Sequence, residues 1–72
     1  MKPIVRNIQN NDLYYYLGEN RFKNIRTGVE GCVDNVTARK VFKINLEATE
    51  IVNKYPSVET LIKKLDLKIE KN

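Results

Sequence analysis

The sequence predicts an α+β fold: a three-stranded antiparallel meander followed by two or three helices packed on one of its faces. Three observations predict it. Between Leu13 and Val33, short apolar or aromatic runs are interrupted near Gly18 and Gly28, which is how strands separated by tight turns read. Tyr14, Tyr15, Tyr16, Phe22 and Ile25 are residue types that suit a pleated, half-buried surface. After Val33 the apolar residues recur every three or four positions instead of every two, the period of a helix face.

Residues 1–12 form either a flexible arm or an edge strand. Lys2-Pro3 is an extended dipeptide, Ile4, Val5 and Ile8 lie in a polar context, and Asn10-Asn11-Asp12 closes the segment as a turn. In the meander of residues 13–33, the first strand is Leu13 to Leu17 and the second Arg21 to Ile25. A two-residue Gly18-Glu19 turn sets Tyr15 against Phe22. Leu13, Tyr15 and Leu17 then face the core, and Tyr14 and Tyr16 share the solvent face with Arg21 and Lys23. A three-residue loop, Gly18 to Asn20, would instead group Tyr16 with Phe22. At the second turn a two-residue Thr27-Gly28 loop opposes Phe22 to Val33 and carries the apolar face on through Val29 and Val33; a three-residue turn would invert the third strand.

Residues 34–66 read as helical. Asp34 or Asn35 is an N-cap, because a short side-chain acceptor satisfies the free amides of a helix opening at Val36. The stripe Ala38, Val41, Phe42, Ile44, Ala48, Ile51, Val52 and Tyr55 carries that helix to Tyr55, with a possible break at Asn45. The competing element is a strand through Phe42, Ile44 and Leu46, whose alternation is also clean. Pro56 ends the stripe, Ser57 caps a second helix with Glu59 in its first turn, and Val58, Leu61, Ile62 and Leu65 line one side of it. Residues 67–72 are a tail in which Leu67 and Ile69 form a short strand or simply dock. The expected core is Leu13, Tyr15, Leu17, Phe22, Val29, Val33, Val41, Phe42, Ile51, Val52, Leu61, Ile62 and Leu65.

Composition narrows function. Seventy-two residues, 42% hydrophobic and 31% charged, suffice for one small folded domain and no second core. Histidine is absent, which removes the commonest general base, the commonest metal ligand and every Ser-His or Cys-His pair. One cysteine, Cys32, provides neither an internal disulfide nor a zinc site, and it fits a reducing, cytoplasmic setting. No glycine pattern matches a phosphate-cradling loop, and no apolar run approaches the roughly 18 residues of a membrane span. The expectation is a non-enzymatic chain without cofactor, metal or membrane partner.

What remains is a basic surface. Thirteen Lys and Arg against nine Asp and Glu give a net charge of +4, and the stretch from Arg21 to Lys43 holds a surplus of the same size. Cations beside aromatic rings on a sheet hold phosphates while the rings stack on bases. The candidate nucleic-acid-binding residues are therefore Tyr14, Tyr16, Arg21, Lys23, Arg26, Arg39 and Lys40, provided that the two rings and the sheet cations share a solvent face. The expected partner is nucleic acid or a ribonucleoprotein. The alternative is a protein–protein interaction module, an inhibitor, adaptor or subunit, since tyrosine and arginine also anchor protein interfaces and sheet edges accept partner strands.

The pattern YLGxNxFxNxxTGxxG, Tyr16 to Gly31, resembles in a general way the small SH3-like and KOW-like barrels of translation and transcription factors. It carries no functional residue with it, and the helical second half departs from such barrels. The compact, lysine- and asparagine-rich style is similar to that of small accessory proteins of phages or AT-rich bacteria.

Overall fold

A computed structural model describes residues 3–45 and 56–70. Its elements run β1 (Ile4–Asn7), β2 (Leu13–Gly18), β3 (Arg21–Asn24), β4 (Glu30–Cys32), α1 (Asn35–Val41), β5 (Phe42–Ile44), α2 (Pro56–Lys63) and β6 (Lys68–Ile69). They build one six-stranded sheet in the order β4-β3-β2-β1-β5-β6, antiparallel except for the parallel pair β5–β6. The expected three-stranded meander followed by two or three helices is thus corrected. The meander is half of a mixed sheet, and among the described residues there are two short helices. β4 and β6 lie at opposite edges, so the sheet is open and the likeness to small barrels does not extend past the meander.

The other half of the sheet comes from segments too short to show a period. β1, expected as an arm or an edge strand, is internal: Val5 lies between Tyr14 on β2 and Ile44 on β5 and is completely buried. The helix opening after Asp34 stops at Val41, where Phe42 donates its N–H to the carbonyl of Ala38 and turns extended. The competing strand reading holds over Phe42–Ile44, because Phe42 and Ile44 then drop into the core while Lys43 points away; Leu46 lies outside the described residues. The expected continuation to Tyr55, with Ile51 and Val52, lies outside the described residues. Asp34 is the N-cap, accepting from the Thr37 N–H at 3.2 Å, which lowers its carboxyl pKa. α2 begins at Pro56, one residue before the cap suggested at Ser57, and its crossover returns the chain to β6. Of the two tail residues, Ile69 ends in the strand β6, whereas Leu67 lies just before it and docks in the core.

The first hairpin decides which faces meet. Its turn is Glu19-Asn20, with φ of 51° and 63°, as a two-residue turn of the primed type requires between Gly18 and Arg21. By itself this would have kept the expected faces. A bulge between Tyr16 and Gly18 absorbs one more residue, with Gly18 at φ 93°, and sets Tyr16 against Phe22. One extra residue inverts the strand. Tyr14 and Tyr16 turn inward, and Leu13 and Tyr15 turn outward.

At the second turn the register is Phe22 against Gly31, two residues from the expected pairing with Val33. A shift of two keeps parity, so Val33 still packs against the core, but Val29 falls at the rim and is 67% exposed. The turn is wider than expected because Asn24 organises it. Its side-chain oxygen accepts from the N–H groups of Arg26 and Thr27 at 2.8 and 3.0 Å.

Both helices cover the same face. Ala38 and Val41 of α1, with Leu61 of α2, Leu65 and Leu67, join Val5, Tyr16, Phe22, Phe42 and Ile44 in one cluster. Phe42 is its hub, stacked on Phe22 at 4.4 Å between centroids and edge-on to Tyr14 at 5.2 Å. Of the expected core, Phe22, Val41, Phe42, Leu61 and Leu65 are buried; Ile62 is exposed, and Leu17 sits in the bulge.

Candidate nucleic-acid interface

Residues paired across neighbouring strands share a face, so the register assigns every strand side chain. On the face away from the helices one row runs Glu30, Lys23, Tyr15, Ile4 across β4, β3, β2 and β1. The next runs Leu13, Arg6, Lys43, Lys68 across β2, β1, β5 and β6. Arg21 lies beyond Lys23 and opposite Cys32. A tyrosine therefore stands near the middle of the sheet with a lysine opposite it on β3 and three cations in the adjoining row. From β3 to β6 this spans about 19 Å, four steps of ~4.8 Å.

The cations are not equally available. Arg6 is held by the carboxylate of Glu70, its Nε within 2.9 and 2.8 Å of the two oxygens, and donates to the carbonyl of Asn11 at 3.2 Å. Arg21 reaches Glu30 at 3.3 Å with both side chains largely in solvent, a weak pair. Among the described residues Lys23, Lys43 and Lys68 make no ion pair. Lys43 and Lys68, with Ile69 and Glu70, line a shallow depression of about 500 Å³.

The seven residues expected from the sequence do not come together. Tyr16 is 3% exposed against Phe22, and half-buried Tyr14 packs on Phe42 while its hydroxyl accepts from the Asn10 side-chain amide at 3.3 Å. Both rings lie under the helices, on the side opposite Arg21 and Lys23. Arg39 and Lys40 are in the last turn of α1, on the helix side. Tyr15, Lys43 and Lys68 are the residues that sequence reasoning missed. A three-residue loop parity would have indicated Tyr15; the strand alternative at Leu67 and Ile69 would have included Lys68, but nothing in the sequence placed that strand beside Lys43.

Arg26 is committed elsewhere. Its Nε and Nη2 grip the Asp12 carboxylate at 3.1 and 2.8 Å, and the amide of Asn24, 6% exposed, donates to the same carboxylate at 2.9 Å. This cluster ties the turn before β2 to the turn after β3. The Arg26 and Asn24 hydrogen bonds hold the Asp12 carboxyl down at about 2, against an ordinary 3.8. A depressed carboxyl stabilises the fold above its unfolded value and loses that contribution as pH falls through the folded one. Asp12→Asn should therefore lower the melting temperature at pH 5 to 7, the difference closing between about pH 4 and pH 2. Paired thermal melts check this, and a gap that stays constant down to pH 2 would refute it.

On the helix side, a cleft of about 430 Å³ opens between α1 and β4, floored by Tyr14, Phe22 and Phe42 and rimmed by Asn24, Thr37 and Val29. Among the described residues no group of three or more His, Cys, Asp or Glu is placed to hold a metal ion, and no helix is long and apolar enough to cross a membrane. Compared with protein-family models, with curated proteins and with solved structures, the chain gives no match to any of them.

Proposed function

We propose that this chain is a non-enzymatic binding module that holds single-stranded nucleic acid, free or within a ribonucleoprotein, on the sheet face opposite α1 and α2. The observation that carries the reading is the register that puts Tyr15 opposite Lys23 and sets Arg6, Lys43 and Lys68 in the adjoining row. In this reading Tyr15 stacks on a base, Lys23, Lys43 and Lys68 neutralise phosphates, and Arg21 exchanges Glu30 for the ligand. An open sheet face suits separated bases, and lysine without a carboxylate partner binds an anion at no cost in broken pairs.

The test is anisotropy of a labelled mixed-sequence single-stranded oligonucleotide titrated with the protein at several salt concentrations. Three neutralised phosphates give a log–log salt slope of about −2, at roughly −0.7 per phosphate. Tyr15→Ala should cost about 1 to 3 kcal/mol of affinity, and Tyr15→Phe should retain it, because stacking needs the ring and not the hydroxyl. Absence of binding at low salt, or a Tyr15→Ala protein that folds and binds unchanged, would overturn the reading. A protein-binding role is the second reading, favoured by the edge of β4, unpaired among the described residues, and the exposed Val29 beside it. Apolar association there would be nearly indifferent to salt, so the titration separates the two.

A further inference from the structure

We propose that a second copy of this chain docks on β4, strand against strand, about a two-fold axis through Gly31, joining the two sheets into one of twelve strands. β4 is an edge: one side pairs with β3, and among the described residues nothing pairs with the other. Asn24 donates to the carbonyl of Val29, and Val33 donates to the carbonyl of Asn20, both at the β3 side. Backbone direction alternates along an antiparallel ladder, so Gly31 also faces β3, while the N–H and C=O groups of Glu30 and Cys32 face outward. The strand carries neither of the residues, proline or lysine, that commonly close an edge to pairing.

The outward pattern is self-complementary in one register. With the axis at Gly31, Glu30 meets Cys32 of the other copy and Cys32 meets Glu30, and all four outward groups of each strand find partners. Moving the axis to Glu30 opposes two glutamates and brings Gly28, at φ 79°, into the ladder. Moving it to Cys32 sets Glu30 against Asp34, another like-charge pair. Charge therefore selects the Gly31 axis over its two neighbours. On the helix side, Asn35 at the start of α1 contacts Asn20 and the Lys64 carbonyl, so that α1 turns back over the sheet. On that side Val29 of each copy falls opposite Val33 of the other, at the cleft beside β4.

A designed disulfide reads the register directly. Gly31 opposite Gly31 is a non-hydrogen-bonded pair, with Cα atoms about 4.5 Å apart, inside the range that a disulfide bridges. A Cβ at Gly31 meets nothing within 4 Å, so Gly31→Cys fits the free chain. In the Cys32→Ser background, Gly31→Cys should cross-link to a covalent dimer under mild oxidation. The parent chain should do so at least tenfold more slowly, since its two Cys32 residues lie on a diagonal about 7 to 8 Å apart. Cys32→Pro deletes an outward N–H without touching the β3 ladder, and should weaken dimerisation at least tenfold in sedimentation while leaving the monomer's melt unchanged. Cross-linking of the Gly31→Cys protein no faster than the parent, or a parent chain that sediments as a monomer at about 1 mM, overturns the proposal.

Discussion

Phe42→Ala should remove most of the stability of this protein. Phe42 is 3% exposed and touches the sheet through two rings at once, stacked on Phe22 and edge-on to Tyr14. Deleting a buried phenyl ring costs about 3 to 5 kcal/mol, because the transfer energy is lost and the surroundings close only partly over the cavity. Domains of this size have roughly 4 to 10 kcal/mol in all. Phe42 also stands where α1 becomes β5, so relaxation around the cavity would disturb helix packing and the β1–β5 ladder together. Urea denaturation followed by circular dichroism would measure this, with Phe42→Leu, which retains most of the volume, as the milder comparison. A loss under about 1 kcal/mol for Phe42→Ala would mean that the aromatic cluster is not the centre of the core.

The second large effect concerns the binding face. Lys23→Glu with Lys43→Glu should reduce oligonucleotide affinity at about 0.1 M salt by 100-fold or more and flatten the salt slope by about 1.4, twice the contribution of one phosphate. These two lysines flank Tyr15 on the sheet, one opposite it on β3 and one in the next row on β5. The comparison that gives the result meaning is Arg39→Glu with Lys40→Glu, which changes net charge by the same amount on the helix side. That pair should cost only the small long-range part of the attraction, screened over a Debye length of about 10 Å. If both pairs weaken binding equally, the protein is merely a cation and the sheet face opposite α1 and α2 is not the site.

The meander, the cap at Asp34 and the helix near Pro56 were all legible, because each has a local signature: aromatic strand residues between glycine turns, a short acceptor before a helical stripe, an apolar stripe behind a proline break, although the helix begins at Pro56 itself and not after a cap at Ser57. What was not legible was parity. The three consecutive tyrosines offer an aromatic ring to either face, so the pattern does not reveal which is inward, and a single bulge residue before Gly18 decided it. Arg21 and Lys23 were correctly read as solvent-facing, whereas the tyrosine beside them is Tyr15 and not Tyr14 or Tyr16. β1, β5 and β6 were legible only as one of two alternatives each, arm or edge strand, helix or strand, strand or docked tail, for another reason. Strands of four, three and two residues hold too few positions for a period to be counted, and only pairing with distant segments makes them strands.

The place of β1 in the middle of the sheet has a consequence for how the protein is made. The strand synthesised first has β2 on one side from residues 13 to 18, but its other neighbour, β5, is not translated until residues 42 to 44, and the salt bridge from Arg6 waits for Glu70. Half of the hydrogen-bonding edge at Ile4–Asn7 is therefore bare while most of the chain is still emerging from the ribosome. Until β5 and Glu70 have been translated the sheet stays incomplete, and over that interval this edge is open to pairing with the wrong strand.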